Sequence, residues 1–206
     1  MEEKLFIPSG EVRLEAVLVP GDPKRAAVVT HPHPLYGGSM HNNVVEAAVQ
    51  GLSRAGWTSL RFNFRGVGRS TGRHGQGLAE QEDVAAAIDF LKKRGAETTT
   101  VAGYSFGAWV AALAWPRLAE LLVRPLALIA PPAAFLSFED IDPRAEIGLI
   151  VCGRQDDIAP PDLAEALGQR LDRPVRPIVL PGADHFFGGR ETELAAILAD
   201  YFREIV

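Results

Sequence analysis

The chain has 206 residues, 47% of them hydrophobic and 23% charged, with a formal net charge of −5 and one cysteine. That length and balance suit one domain with a full core, spanning 1–206. Lys and Arg are scattered rather than clustered, which argues against a nucleic-acid partner. No apolar run reaches the length of about 18 residues that a membrane span needs.

The opening MEEKLFIPSGEVRLEAVLVPGD has no basic start followed by an apolar stretch, so it is not expected to be a signal peptide. Cys152 lies in the apolar run IGLIVCG and reads as a packing thiol, so an oxidising compartment is not implied and the cytoplasm is the expected location. LFIP and VRLEAVLVP predict two strands joined at Ser9-Gly10, an antiparallel hairpin. AAVVTH (26–31) is a buried strand. NVVEAAVQGLSRAG then places Val44, Val45, Ala48, Val49 and Leu52 on one helical face, stopped by Gly56. WTSLRFNF (57–64) is the next strand, followed by the glycine-rich loop RGVGRSTGRHGQG. AEQEDVAAAIDFLKKRG is a helix with acids in its first turn and Lys92, Lys93 and Arg94 in its last, as the helix dipole favours. TTTVAGY (98–104) is a strand and SFGAWVAALAW a helix. PLALIAP (125–131) and IGLIVCG (147–153) are strands, PDLAEALGQRL a helix and PVRPIVLP a strand. ETELAAILADYFREI is a final helix, with Leu194, Ile197, Leu198, Tyr201, Phe202 and Ile205 at helical spacing.

Strands this apolar on both faces, alternating with helices, predict a mostly parallel α/β sheet covered on both sides. Ligands of such sheets bind beyond the carboxyl ends of the strands, so the loops there carry the chemistry.

The loop after 98–104 reads Gly103-Tyr104-Ser105-Phe106-Gly107, a G-x-S-x-G between a strand and a helix. A nucleophile on so tight a turn takes a strained backbone, and its neighbours two residues away must lack side chains. A bare serine hydroxyl also needs a base, usually a histidine held in one tautomer by a carboxylate. The remaining strand ends offer both. Gly153-Arg154-Gln155-Asp156-Asp157 follows one, and Gly182-Ala183-Asp184-His185-Phe186 follows the next. Ser105, an Asp and His185 thus appear in chain order, each at a strand end, with Asp156 and Asp157 competing for the acid.

With these residues in view, the sequence resembles the α/β-hydrolase superfamily, and more narrowly small capless bacterial hydrolases similar to dienelactone hydrolases. HPHPLYGG, FRGVGRSTG, GYSFGA, GRQDDIAPP and GADHFF carry the resemblance, across residues 31–187. It implies an α/β-hydrolase fold with antiparallel N-terminal strands. It also implies catalytic roles for Ser105, Asp156 and His185, the acid being Asp156 because Pro160 follows it by the family's spacing. Dienelactone hydrolases proper use cysteine where this chain has Ser105, so the resemblance does not carry over their lactone substrate. The resemblance further implies an oxyanion hole made by the backbone N–H of Phe106 and of His33, the position matching the family's pattern, with Leu35 the fallback; Pro32 and Pro34 have no N–H to offer. Many relatives insert a helical cap after the sixth strand. Here 131–146 is too short for one, so an open cleft is expected, walled by Tyr36, Phe106, Phe135, Phe138 and Phe186.

THPHPLYGGSMHNN, with His31, His33 and His41, raises a rival chemistry, because an His-x-His pair after an apolar strand is a metal-ligand pattern. Supporting ligands are wanting after His33, and His74 in the glycine-rich loop is a weak candidate. His31 is therefore expected to anchor the loop by hydrogen bonds and His41 to lie at the surface. The glycine-rich loop lacks the Lys-Ser/Thr of a phosphate loop, although Arg65 and Arg69 in it offer cations to an anionic substrate. The expectation is a serine hydrolase of small to medium esters or thioesters, without cofactor or metal, acting on a small-molecule acyl substrate. Carboxylesterase leads thioesterase, lactonase and peptidase, and the oligomeric state is open. The alternatives are a non-catalytic binding protein on the same fold and a metal-dependent hydrolase using His31 and His33.

Overall fold

Among the described residues the apolar runs build eight strands into a single sheet. They are β1 (Glu3–Ser9), β2 (Val12–Val19), β3 (Asp22–Thr30), β4 (Trp57–Phe62), β5 (Thr98–Tyr104), β6 (Leu126–Ile129), β7 (Ile147–Gly153) and β8 (Ile178–Leu180). The computed structural model describes residues 1–121 and 125–205. Across the sheet the order is β1-β2-β4-β3-β5-β6-β7-β8. β1/β2 and β2/β4 pair antiparallel and every later pair is parallel. This is the α/β-hydrolase architecture that the sequence predicts, with its antiparallel strands at the N-terminal edge.

Helices α1 (Asn43–Arg54) and α6 (Glu191–Glu204) cover one face of the sheet; α2 (Leu78–Lys93), α3 (Phe106–Leu113) and α5 (Pro161–Gln169) cover the other. Alternate residues of each central strand feed the two cores. Ala26, Val28, Val101 and Leu128 pack toward α2 and α3, while Ala27, Val29, Ala102 and Ile129 pack toward α1 and α6. A strand buried on both sides has no polar face to show, which is why these segments read as unbroken apolar runs. Trp57 ties the second layer together: its indole N–H donates to the Phe202 carbonyl at 2.9 Å. Among the described residues no helix is long and apolar enough to cross a membrane.

Several elements differ at their ends from the sequence reading, and two of these differences are owed to proline. The strand predicted over 174–181 forms only at Ile178–Leu180, because Pro174 and Pro177 have no N–H for a ladder. The helix predicted over 105–115 ends at Leu113, and a separate turn, α4 (Trp115–Leu118), begins with Pro116 in its first turn, where a missing N–H costs nothing. The connection from β6 to β7 contains turns and no helix, so no cap covers the carboxyl edge. At that edge the chain leaves β3 in one direction, toward β4, and leaves β5 in the other, toward β6. The crevice between the ends of β3 and β5 is therefore a topological switch point, where α/β sheets bind ligands.

Candidate active site

Ser105 occupies the single residue between β5 and α3, at φ 52° and ψ −118°. An L-residue adopts this conformation only when its surroundings impose it. Here the imposition is crowding. A Cβ on Gly103 would lie 2.7 Å from Ala108 Cα, and one on Gly107 would lie 2.8 Å from the His31 carbonyl and collide with Thr30 Oγ1. Strand and helix can meet this closely only because both positions lack side chains. The Ser105 amide donates to the Ile129 carbonyl at 2.9 Å, and its hydroxyl lies beneath the cleft. Ala130 (φ 45°) after β6 and Phe187 (φ 52°) after β8 are also left-handed, so strain gathers along this edge.

His185 reaches Ser105 from the turn after β8: its Nε2 stands 2.9 Å from Ser105 Oγ. On the other side, Nδ1 stands 2.9 Å from Asp156 Oδ2 and 3.1 Å from Oδ1. Asp156 Oδ1 also accepts the amides of Ile158 and Ala159, at 2.9 and 2.6 Å. With both of its oxygens engaged, the carboxylate is fixed in the plane that meets the imidazole. All three side chains are buried, at 7%, 6% and 3% exposure for Ser105, His185 and Asp156, so water does not screen their contacts. Asp157, the competing acid, is exposed and makes no such contact. The Gln155 amide donates to the Ala183 carbonyl at 2.9 Å and clamps the acid loop to the histidine loop.

Tyr104 was not singled out by its sequence, since x in G-x-S-x-G is unspecified. Its hydroxyl donates to the His185 carbonyl at 3.0 Å, and burial, followed by the charges of Asp156 and Asp184, raises its pKa and keeps that donor protonated.

Above Ser105 lies the loop after β3. A short 3-10 helix at Pro34–Tyr36 turns it, and the amides of Tyr36 and Gly38 both donate to the His33 carbonyl at 3.1 Å. The Leu35 amide donates to His33 Nδ1 at 3.2 Å, so this fallback oxyanion donor is already engaged. Phe106, as the first residue of α3, has no partner one turn back for its own amide. His33, Ser105, Phe106 and His185 line one cleft of about 570 Å³.

His31 is fully buried and anchors this loop: its Nδ1 donates to the Pro32 carbonyl at 2.6 Å, and its Nε2 accepts the Phe64 amide at 3.0 Å. Both nitrogens are therefore taken by backbone, which leaves no lone pair for a metal. Among the described residues no group of three or more His, Cys, Asp or Glu is placed to hold a metal ion. Desolvation lowers the His31 pKa from 6.5 to about 4. Between those values the unfolded chain binds a proton that the folded chain refuses. The stabilisation is therefore complete above pH 6.5 and is lost as pH falls toward 4, a loss of about 3 kcal/mol. Denaturant titrations at pH 7 and pH 4.5 are expected to show the fall, with ¹⁵N shifts reporting a neutral His31 ring protonated on Nδ1. Equal stability at both values, or a doubly protonated ring in the folded state, would contradict it.

Tyr36, Phe135 and Phe186 stand at the cleft mouth with 88%, 72% and 59% exposure. Phe138, expected beside them, is instead buried in the core toward α2 and α3, where the Trp109 indole N–H of α3 holds the neighbouring Ser137 carbonyl at 2.7 Å. His41 is exposed. Arg65 does not face the cleft as a free cation: its guanidinium grips buried Asp83 at 2.7 Å, while Arg69 lies over the Phe6 ring at 5.1 Å. His74 stands 2.9 Å from buried Glu80 through Nδ1, and its ring centroid is 5.1 Å from that of His33. Neither contact was legible in sequence.

A mostly parallel sheet, an uncapped carboxyl edge and a serine at a strained strand-to-helix turn define an α/β-hydrolase of the lid-less kind. Residues 22–137 match the family described as serine aminopeptidase, S33, and the chain belongs to that family of hydrolases. It is 37% identical over 185 residues to an uncharacterized protein of Rickettsia prowazekii, covering 85% of this chain and 77% of that one. An α/β serine hydrolase homologue from Coxiella burnetii superposes with a TM-score of 0.87 at 33% identity, over 96% of each chain. A lid-less α/β serine hydrolase from Xanthomonas campestris superposes with a TM-score of 0.86, also at 33% identity, over 98% of this chain and 94% of that one.

Proposed function

We propose that the protein is a serine esterase, a single catalytic domain that hydrolyses uncharged carboxylic esters through an acyl-enzyme. The observation that carries this reading is the relay Ser105 Oγ–His185 Nε2 at 2.9 Å and His185 Nδ1–Asp156 Oδ2 at 2.9 Å, opening on a cleft. His185 takes the Ser105 proton as Oγ attacks the ester carbonyl. The amides of Phe106 and His33 hold the oxyanion, and Asp156 stabilises the imidazolium. His185 then gives its proton to the departing alcohol, and a water activated by the same imidazole releases the acid.

Charge supports an ester over an aminopeptidase's substrate. An aminopeptidase must hold a protonated α-amine, and among the described residues no Asp, Glu, Lys or Arg lines the cleft. Asp156 is withheld behind His185. The lining is apolar and aromatic instead, with Tyr36, Phe135 and Phe186 placed to flank a substrate at the mouth.

A fluorophosphonate probe tests the reading directly. It is expected to add covalently to Ser105, with the modified peptide identified by mass spectrometry, and chelators are expected to leave the labelling unchanged. An unlabelled protein would favour a binding role on this fold; hydrolysis abolished by chelation would favour a metal.

A further inference from the structure

His33 contributes more than a backbone amide. Its side chain caps the 3-10 helix at Pro34–Tyr36, with Nδ1 accepting the Leu35 amide at 3.2 Å while its carbonyl accepts the amides of Tyr36 and Gly38. The ring also packs against Phe106, centroids 4.8 Å apart, and against Tyr36 at 4.9 Å. One side chain thus touches both segments that supply the oxyanion amides, and it holds its own segment by a lone pair.

We propose that the His33 imidazole is a positioning residue that sets the oxyanion loop only while Nδ1 is unprotonated. A proton on Nδ1 would face the Leu35 N–H donor to donor and release the turn that aims the His33 amide. The proposal rests on the esterase reading above.

The groups around the ring agree with a neutral state. Tyr36 faces it from its own turn, His74 from the glycine-rich loop, with Glu80 of α2 2.9 Å behind His74, and His185 from across the cleft. Phe106 of α3 brings no charge, and the Arg65 guanidinium is held by Asp83. Burial lowers the His33 pKa, and His74 lowers it further against an opposing pull from Glu80. The loop is thereby kept set at neutral pH and is released only on the acid side.

Two substitutions separate the lone pair from the ring. His33→Asn keeps an acceptor suited to capping the turn and loses the ring; His33→Phe keeps the ring and loses the acceptor. An oxyanion contact exists only in the transition state, so its loss lowers kcat and leaves KM nearly unchanged. On a neutral ester, His33→Phe is expected to lower kcat by about 10- to 100-fold with KM within about twofold, since misplacing one donor costs up to the loss of that donor. His33→Asn is expected to restore at least about threefold of the kcat that His33→Phe loses, because its side chain still caps the turn. Over the pH range where circular dichroism shows an intact fold, wild-type log kcat is expected to fall at acid pH more steeply than one proton allows, and His33→Asn with a slope of one.

The proposal is overturned if His33→Phe keeps full kcat, if Asn and Phe lose it equally, or if the wild-type acid limb already has a slope of one. Fluorophosphonate labelling of Ser105 in the same samples distinguishes the causes. A labelled, active wild type with unaltered variants refutes the role of His33 alone; an unlabelled, inactive wild type refutes the esterase reading and this proposal with it.

Discussion

Ser105→Ala is expected to cut kcat on a chromogenic short-chain ester by about four to six orders of magnitude, the scale on which nucleophile removal acts in acyl-transfer enzymes. Alanine inherits the backbone at φ 52°, because the surroundings of Gly103 and Gly107 impose it, so the fold should survive. Only Oγ disappears, and with it the 2.9 Å contact to His185. The residual rate over water would come from the amides of Phe106 and His33, which the change leaves in place. KM should move little, and circular dichroism and melting temperature should match the parent. Turnover retained within tenfold by a well-folded variant would remove Ser105 from the chemistry.

Asp156→Asn is expected to lower kcat by about 10⁴-fold, as tautomer inversion does in such relays. The geometry shows why so small a change should be so damaging. Oδ1 is pinned by the amides of Ile158 and Ala159, and only an oxygen satisfies them. The asparagine nitrogen must then take the Oδ2 position, facing His185 Nδ1 as donor to donor. The ring answers by moving its proton to Nε2, which can no longer accept from Ser105. Removal of the neighbouring exposed carboxylate, Asp157→Asn, should leave kcat within about twofold, the scatter of an ordinary surface change. If the two variants behaved alike, Asp156 would not be the acid partner.

Much of this arrangement was legible before any coordinates. Unbroken apolar strands alternating with helices dictate a covered parallel sheet, and the loops worth searching follow from that. Ser105, the Asp156–Asp157 pair and His185 sat in those loops in order, since strand ends are local in sequence even when the side chains meet across the sheet. What escaped was long-range or direction-dependent. The residues alone leave the two adjacent acids competing, and only the family's spacing to Pro160 singles out Asp156. Phe138 and Phe135 are both aromatic residues in one irregular loop, and no periodicity tells core from rim. The His33 ring, the Tyr104 hydroxyl and the Arg65–Asp83 pair each act on partners that no local pattern specifies. Pro174, Pro177 and Pro116 are visible in the sequence, but how far each shortens its element depends on which N–H groups the neighbouring strand or turn needs.

The left-handed backbone at Ser105, Ala130 and Phe187 has an evolutionary side. Each such residue costs about 1–3 kcal/mol relative to a relaxed conformation. At Phe187, whose ring is fully buried in the core, glycine would leave a cavity that costs more than the strain it relieves; at Ser105 glycine would relieve the strain without emptying the core, so drift toward thermal robustness should find that site. The gain there would delete the hydroxyl itself. The chain is therefore hardest to toughen where it is most tense, and a screen for heat resistance alone should enrich inert descendants.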